Sequence, residues 1–217
     1  MNIKIKKLII YSISLIPIQK FKIFLYRNIL GYEIDYSCKL GFFNLIYCKE
    51  FKLSENVKFG NFNKVTCLNG KVFISSNGII KNNIIINGNG ILSINSDCVV
   101  NNNTYFDLAK NISIGKNVVF GGRNTELWTH GYDFNRNKLV GNIEIGNNVY
   151  FGSGCIISLG VKISSNNIIG AKSMISKSIE KTNCLIISNK QTIIENINLK
   201  RYKFLKIEDN EKVYEKI

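Results

Sequence analysis

A large apolar residue at every sixth position, a small or polar residue after each, and paired asparagines between them predict an all-β chain wound as a parallel β-helix. Ile145, Phe151, Ile157, Ile163, Ile169 and Ile175 stand six apart, followed by Gly146, Gly152, Ser158, Ser164, Gly170 and Ser176. Val149, Cys155 and Val161 add a smaller apolar residue four positions after the first three anchors. An α-helix cannot hold that period, because six residues turn by about 600° and each anchor drifts by about 120° from the last. A flat ribbon that turns a corner every six residues keeps every anchor inside. Three corners close a triangle, so a coil takes about 18 residues and stacks at about 4.8 Å on the next.

The chain opens differently. Of 217 residues, 29 are Lys or Arg and 15 are Asp or Glu, a formal charge of +14. Residues 1–30 carry Lys4, Lys6, Lys7, Lys20, Lys22 and Arg27 and no acid. The apolar run Leu8 to Ile18 is short of the roughly 20 residues a membrane span needs, and no small-x-small cleavage site follows. Residues 1–30 therefore read as a basic amphipathic helix or helix pair broken near Pro17, with Ile5, Leu8, Ile9 and Ile16, then Phe21, Phe24 and Leu25, on its apolar faces. Its first role is to cap the domain; the alternative is to rest on an anionic membrane surface.

Residues 31–196 are assigned to the β-helix. The hexad frame recurs as Leu53, Phe59 and Val65, as Ile74, Ile80 and Ile86, as Ile94, Val100 and Phe106, and as Ile114 and Phe120, with small shifts between blocks. Stacked coils leave unpaired backbone groups at both ends, so caps are required. Residues 197–217 are the natural cap or tail at the far end. Asn147-Asn148 and Asn166-Asn167 suit the corners, since Asn tolerates a left-handed backbone. Cys98 and Cys155 fall four residues after an anchor and read as small core residues.

The six cysteines form no C-x-x-C pair and have no His at ligand spacing, which argues against zinc or disulfides and for a reducing cytoplasm. With one His in the chain, a three-imidazole metal site on a single chain is excluded, as is a mechanism with separate His acid and base. No metal is expected. That His lies where the frame breaks. After Phe120 the anchor due at 126 is Glu126, and Ile145 is the next secure one. A loop over residues 129–142 must leave the coil there, beginning Thr129-His130-Gly131-Tyr132-Asp133. A lone His is more often structural than catalytic, and spacing alone does not decide otherwise.

The runs Ile112-Ser-Ile-Gly-Lys-Asn-Val, Thr129-His130-Gly131-Tyr132-Asp133, Ile143-Glu-Ile-Gly-Asn-Asn-Val-Tyr-Phe-Gly-Ser-Gly and Ile169-Gly-Ala-Lys-Ser-Met-Ile-Ser-Lys resemble the hexapeptide-repeat acetyltransferases, above all the branch that O-acetylates sugars and polysaccharides. The likeness is specific over 111–180 and looser over 50–110. It implies a left-handed parallel β-helix, a homotrimer, and acetyl-CoA as co-substrate in the groove between neighbouring prisms. By that likeness His130 is the general base for direct attack of a sugar hydroxyl on the thioester. The backbone N–H of Ser153 is the oxyanion donor, with room left by Gly152. The cofactor-binding residues it implies are Tyr150, Gly152, Ser153, Ala171, Ser176 and Lys177. Asn102 and Asn103 fall about where the family binds the acceptor, and Glu126 or Asp133 is placed to contact the acceptor or orient the imidazole. Tyr150 replaces the family's usual Trp, and Ser188 to Thr192 replace its Gly-Asn-Pro-Ala-Lys stretch.

The implied function is O-acetylation of a surface glycan or its precursor in the cytoplasm, at the inner face of the membrane if residues 1–30 bind lipid. N-acetylation of a nucleotide-linked amino sugar and a non-catalytic β-helix scaffold are the alternatives. The basic charge is matched by anionic CoA and glycans, and no nucleic-acid module accompanies it.

Overall fold

The computed structural model describes residues 3–133 and 135–187. Two helices, α1 (Ile3–Ser14) and α2 (Gln19–Leu30), precede a left-handed parallel β-helix of about eight coils. The segment expected to close the far end, residues 197–217, lies outside the described residues.

Each coil has three faces. The second face is an eight-stranded parallel sheet running from Lys39–Leu40 through Val119–Phe120 to Leu185–Ile186. The first and third faces join into one twelve-stranded sheet, because Leu45–Leu53 and Lys64–Ile74 bend through the corner between them. The anchors point inward throughout: Ile145, Phe151, Ile157, Ile163, Ile169 and Ile175 are all buried, as are Val149, Cys155 and Val161. Phe120 and Phe151 stack with centroids 4.8 Å apart on successive coils, and Phe106 meets Phe120 edge-on. Aromatic pairs of this kind add about 0.5–1.5 kcal/mol beyond their burial.

Coil length varies along the prism. Tyr150 pairs with Ile168, a step of 18, whereas Lys58 pairs with Ile79, a step of 21, and Ile79 with Val99, a step of 20. The additional residues of the early coils fall mainly on the edge between the third and first faces, where Ile86 is followed by the next aligned anchor only at Ile94, and Phe106 at Ile114. One further residue enters before the third face of the fifth coil. Gly122 and Asn124 take left-handed φ of 67° and 63°, and the inward residue there is Leu127, while Glu126 points outward in register with Tyr105.

Asparagine makes the corners. Asn148 and Asn166 have φ of 55° and 60°, and Asn at 77, 83, 103, 117, 124 and 183 is also left-handed. Side-chain amides link one coil to the next: Asn61 N donates to Asn82 Oδ1 at 2.8 Å, and Asn82 N to Asn102 Oδ1 at 3.0 Å.

The helices close the open end of the first coil, whose backbone has no coil beneath it. Gln19 imitates a missing strand, accepting from Leu40 N and donating to Leu40 O, both at 2.9 Å. Buried Lys22 donates to the carbonyls of Leu40 and Gly41 at 3.2 and 3.0 Å. Arg27 donates to Ile34 O at 2.8 Å on the first face, and Tyr32 to Ile46 O at 2.8 Å on the third. Each of the three faces thereby receives at least one side-chain hydrogen bond at that end. No helix among the described residues is long and apolar enough to cross a membrane.

Candidate active site

The third-face strand Glu126–Leu127 ends the fifth coil, and the chain then leaves the prism instead of turning onto the first face. It returns as an antiparallel hairpin, His130–Tyr132 against Lys138–Val140, and the Gly141 amide closes it on Thr129 O at 2.9 Å. Asp133 fastens the tip, accepting from Asn137 N at 2.8 Å and Asn137 Nδ2 at 2.9 Å, bonds that hold its carboxyl below the usual range.

At the root of the hairpin the imidazole is held from the coil below. Asp107 sits just past the anchor Phe106, as Thr129 and His130 follow the anchor Leu127. Its Oδ2 lies 2.6 Å from His130 Nδ1 and accepts the Thr129 amide at 3.0 Å. Thr129 Oγ1 is 2.9 Å from the same oxygen and 2.8 Å from Asp107 O, and accepts the Lys110 amide at 3.0 Å. The Asp107 side chain is 6% exposed and that of His130 is 25% exposed, so the acid is sealed in while the imidazole meets solvent. A carboxylate only accepts, so Nδ1 donates to Asp107 and, in the neutral ring, Nε2 carries the lone pair.

Aromatic side chains flank the ring. Trp128 and Tyr132 meet it edge-on at 6.0 and 6.1 Å, and Tyr105 packs on Trp128 at 4.8 Å. Burial pushes the Tyr105 phenol up. The Trp128 indole N–H donates to Glu126 Oε2 at 2.9 Å.

The orienting role proposed for Glu126 or Asp133 therefore needs correction. Glu126 turns to the Trp128 indole and Asp133 to the hairpin tip, and Asp107 is the partner of His130. Sequence reasoning missed Asp107, although a signal existed: one coil before His130, the gap between the anchors Phe106 and Ile114 holds a single acid.

The other predicted residues divide between two edges of the prism. Ser176 and Lys177 are exposed on the His130 edge, two coils beyond it. Asn102, Asn103, Gly152, Ser153 and Ala171 lie on the edge between the second and third faces. The whole width of the third face lies between the two edges. Asn102 and Asn103 are engaged in the asparagine ladder, Asn102 Oδ1 with Asn82 and Asn103 Nδ2 with Asn124 at 3.1 Å, and neither stands beside His130 of the same chain. Ser153 Oγ accepts the Arg123 amide at 3.1 Å, and its carbonyl accepts the Lys172 amide at 2.8 Å. Gly152 answers to coil stacking: a Cβ there would lie 2.4 Å from Ala171 N. Tyr150 is exposed on the second face and folds over Gly121, where a Cβ would come within 2.5 Å of its hydroxyl.

The fold and hairpin thus define a hexad-wound, left-handed β-helix with a carboxylate-held histidine on one edge. No protein-family model matches the sequence, and no curated protein matches it. Among solved structures, the polysialic acid O-acetyltransferase OatWY aligns with TM-score 0.59 at 19% identity, over 76% of this chain and 90% of that one. The polysialic acid-specific acetyltransferase NeuO aligns with TM-score 0.40 at 20% identity, over 75% of this chain and 79% of that one. A maltose O-acetyltransferase from Clostridium difficile 630 aligns with TM-score 0.40 at 24% identity, over 62% of this chain and 63% of that one. The likeness to OatWY establishes the shared fold.

Proposed function

We propose that the protein is an acetyl-CoA-dependent O-acetyltransferase acting on a sugar hydroxyl of a surface glycan or its precursor. The observation that carries this reading is the Asp107–His130 pair, which engages Nδ1 and leaves Nε2 as the second nitrogen of a part-exposed imidazole. A base so held is suited to proton transfer at neutral pH, a contribution of typically ~10²- to 10⁴-fold.

In the proposed reaction Nε2 accepts the proton of the acceptor hydroxyl as its oxygen attacks the thioester carbonyl. The resulting imidazolium is stabilised by the Asp107 carboxylate and returns the proton to the departing CoA sulfur. No acyl-enzyme forms. The Ser153 backbone N–H is the proposed oxyanion donor, a role worth about 3 kcal/mol. Because Ser153 and His130 occupy different edges of one prism, the donor facing a given His130 comes from a second copy. This agrees with a trimer holding acetyl-CoA between prisms. Tyr150, Gly152 and Ala171 would line that groove with the Ser153 edge, and Ser176 and Lys177 with the His130 edge. Tyr105 and Trp128 offer an aromatic surface of the kind that packs on a sugar ring, beside Glu126. The cysteines support a cytoplasmic setting: all six are free, and five of them are buried.

Thiol release from acetyl-CoA over a panel of sugar acceptors, with wild type and His130→Ala, tests this. Acceptor-dependent release that collapses in the variant and leaves an alkali-labile acetyl supports the reading. An alkali-stable acetyl on an amino sugar assigns N-acetylation instead. Release unaffected by the substitution overturns the mechanism, and failure to bind acetyl-CoA favours a scaffold.

A further inference from the structure

We propose that the outer face of the α1–α2 cap docks on an anionic phospholipid bilayer. Both helices are apolar on two sides. The inner side, Ile10, Ile13, Ile23 and Tyr26, is buried on the first coil. The outer side still presents Ile5 at 53%, Leu8 at 67%, Ile18 at 65%, Phe21 at 49% and Phe24 at 47% exposure. Ile5 and Leu8 are three apart in α1, and Phe21 and Phe24 are three apart in α2, so each pair sits on one side of its helix, with Ile18 exposed at the N-cap of α2. Phe21 and Phe24 stack at 6.4 Å, an exposed preformed aromatic pair.

Charge selects the occupant. Lys4, Lys7 and Lys20 are exposed on the same cap, and the first acid of the chain is Glu33, beyond both helices. A positive face bearing large apolar side chains matches an anionic headgroup layer over acyl chains. Apolar insertion and charge together supply the two contributions that stable surface binding needs.

A second observation lies beside the cap. The corner that Asn83, Asn103 and Asn124 occupy with left-handed backbone is occupied in the two coils nearest the helices by Phe43 and Phe62, at φ 58° and 57°. Phenylalanine is strained there where asparagine is not. Both rings are nonetheless exposed, stacked at 5.0 Å, and Phe43 meets Tyr11 of α1 at 6.3 Å. Core packing does not reward this choice, whereas beside the cap an aromatic fringe suits a headgroup layer. On the activity proposed above, docking holds His130 four coils, about 19 Å, from the first coil and its cap.

Flotation of the full chain with phosphatidylcholine vesicles, with and without phosphatidylglycerol, tests the docking without any acceptor or acetyl-CoA, so its result is independent of the proposed reaction. Binding is expected only with phosphatidylglycerol and should weaken with salt. Phe21→Ser with Phe24→Ser, and separately Lys7→Glu with Lys20→Glu, should each lower partitioning by roughly tenfold or more. An unchanged circular-dichroism melt shows that these proteins fold, and Ile5→Ser with Leu8→Ser is an independent pair should one fail. Binding indifferent to phosphatidylglycerol, or absent from both vesicles, overturns the proposal. So does self-association that the same substitutions abolish, which would make this face an interface between copies.

Discussion

Asp107 and His130 lie 23 residues apart in sequence and 2.6 Å apart in space, joined across neighbouring coils at the root of the hairpin. The carboxylate is also bound to the Thr129 amide, so one group fixes both the ring and the backbone that carries it.

Asp107→Asn should keep the packing and lose the function. An amide in that place can donate to Nδ1, favouring the tautomer whose proton sits on Nε2, and cannot stabilise an imidazolium. On the proposed mechanism kcat falls by ~10²-fold or more with little change in KM, and the pH–rate profile shifts. A substitution that left both kcat and the profile intact would limit Asp107 to a structural role.

The cap is testable by stability. Gln19→Ala removes two bonds from the exposed edge of Leu40 and should cost about 1–3 kcal/mol in urea denaturation. Lys22 supplies the pH dependence. Burial lowers its folded pKa below the ordinary 10.5, so between those two values the unfolded chain binds the extra proton. Stability from this group therefore rises with pH through that window, and the burial penalty is complete below the folded value. Wild-type stability measured relative to Lys22→Met should climb as pH approaches 10.5; a flat difference would show that Lys22 titrates as if unburied.

Cysteine reactivity should separate the core from the surface. Cys38, Cys48, Cys67, Cys98 and Cys155 are buried and Cys184 is half-buried. Burial raises the first five thiols, Cys67 to about 12. Native alkylation followed by mass spectrometry should label Cys184 alone, and denaturant should expose all six. Rapid native labelling of Cys98 or Cys155 would contradict the packing.

The six-residue period carried the architecture because inward anchors must repeat wherever a ribbon turns equal corners. Ile145 to Ile175 were legible for that reason, as were the left-handed Asn148 and Asn166. The frame shifts were visible but not their common place: most fall on the edge that also releases the hairpin. The frame was read as breaking at Glu126, whereas it resumes one residue later at Leu127, because left-handed residues at 122 and 124 admit an additional residue, a backbone event with no apolar signature.

What the sequence by itself determined is the coil, its inward side chains, its basic helical start and the loop that holds the only histidine. All of these follow from local period and composition. Only the tertiary structure decided that Asp107 holds His130, that Gln19, Lys22, Arg27 and Tyr32 close the first coil, and that His130 and Ser153 stand on different edges. Those relations depend on stacking register, and register sums every irregularity between two coils, so no local pattern contains it.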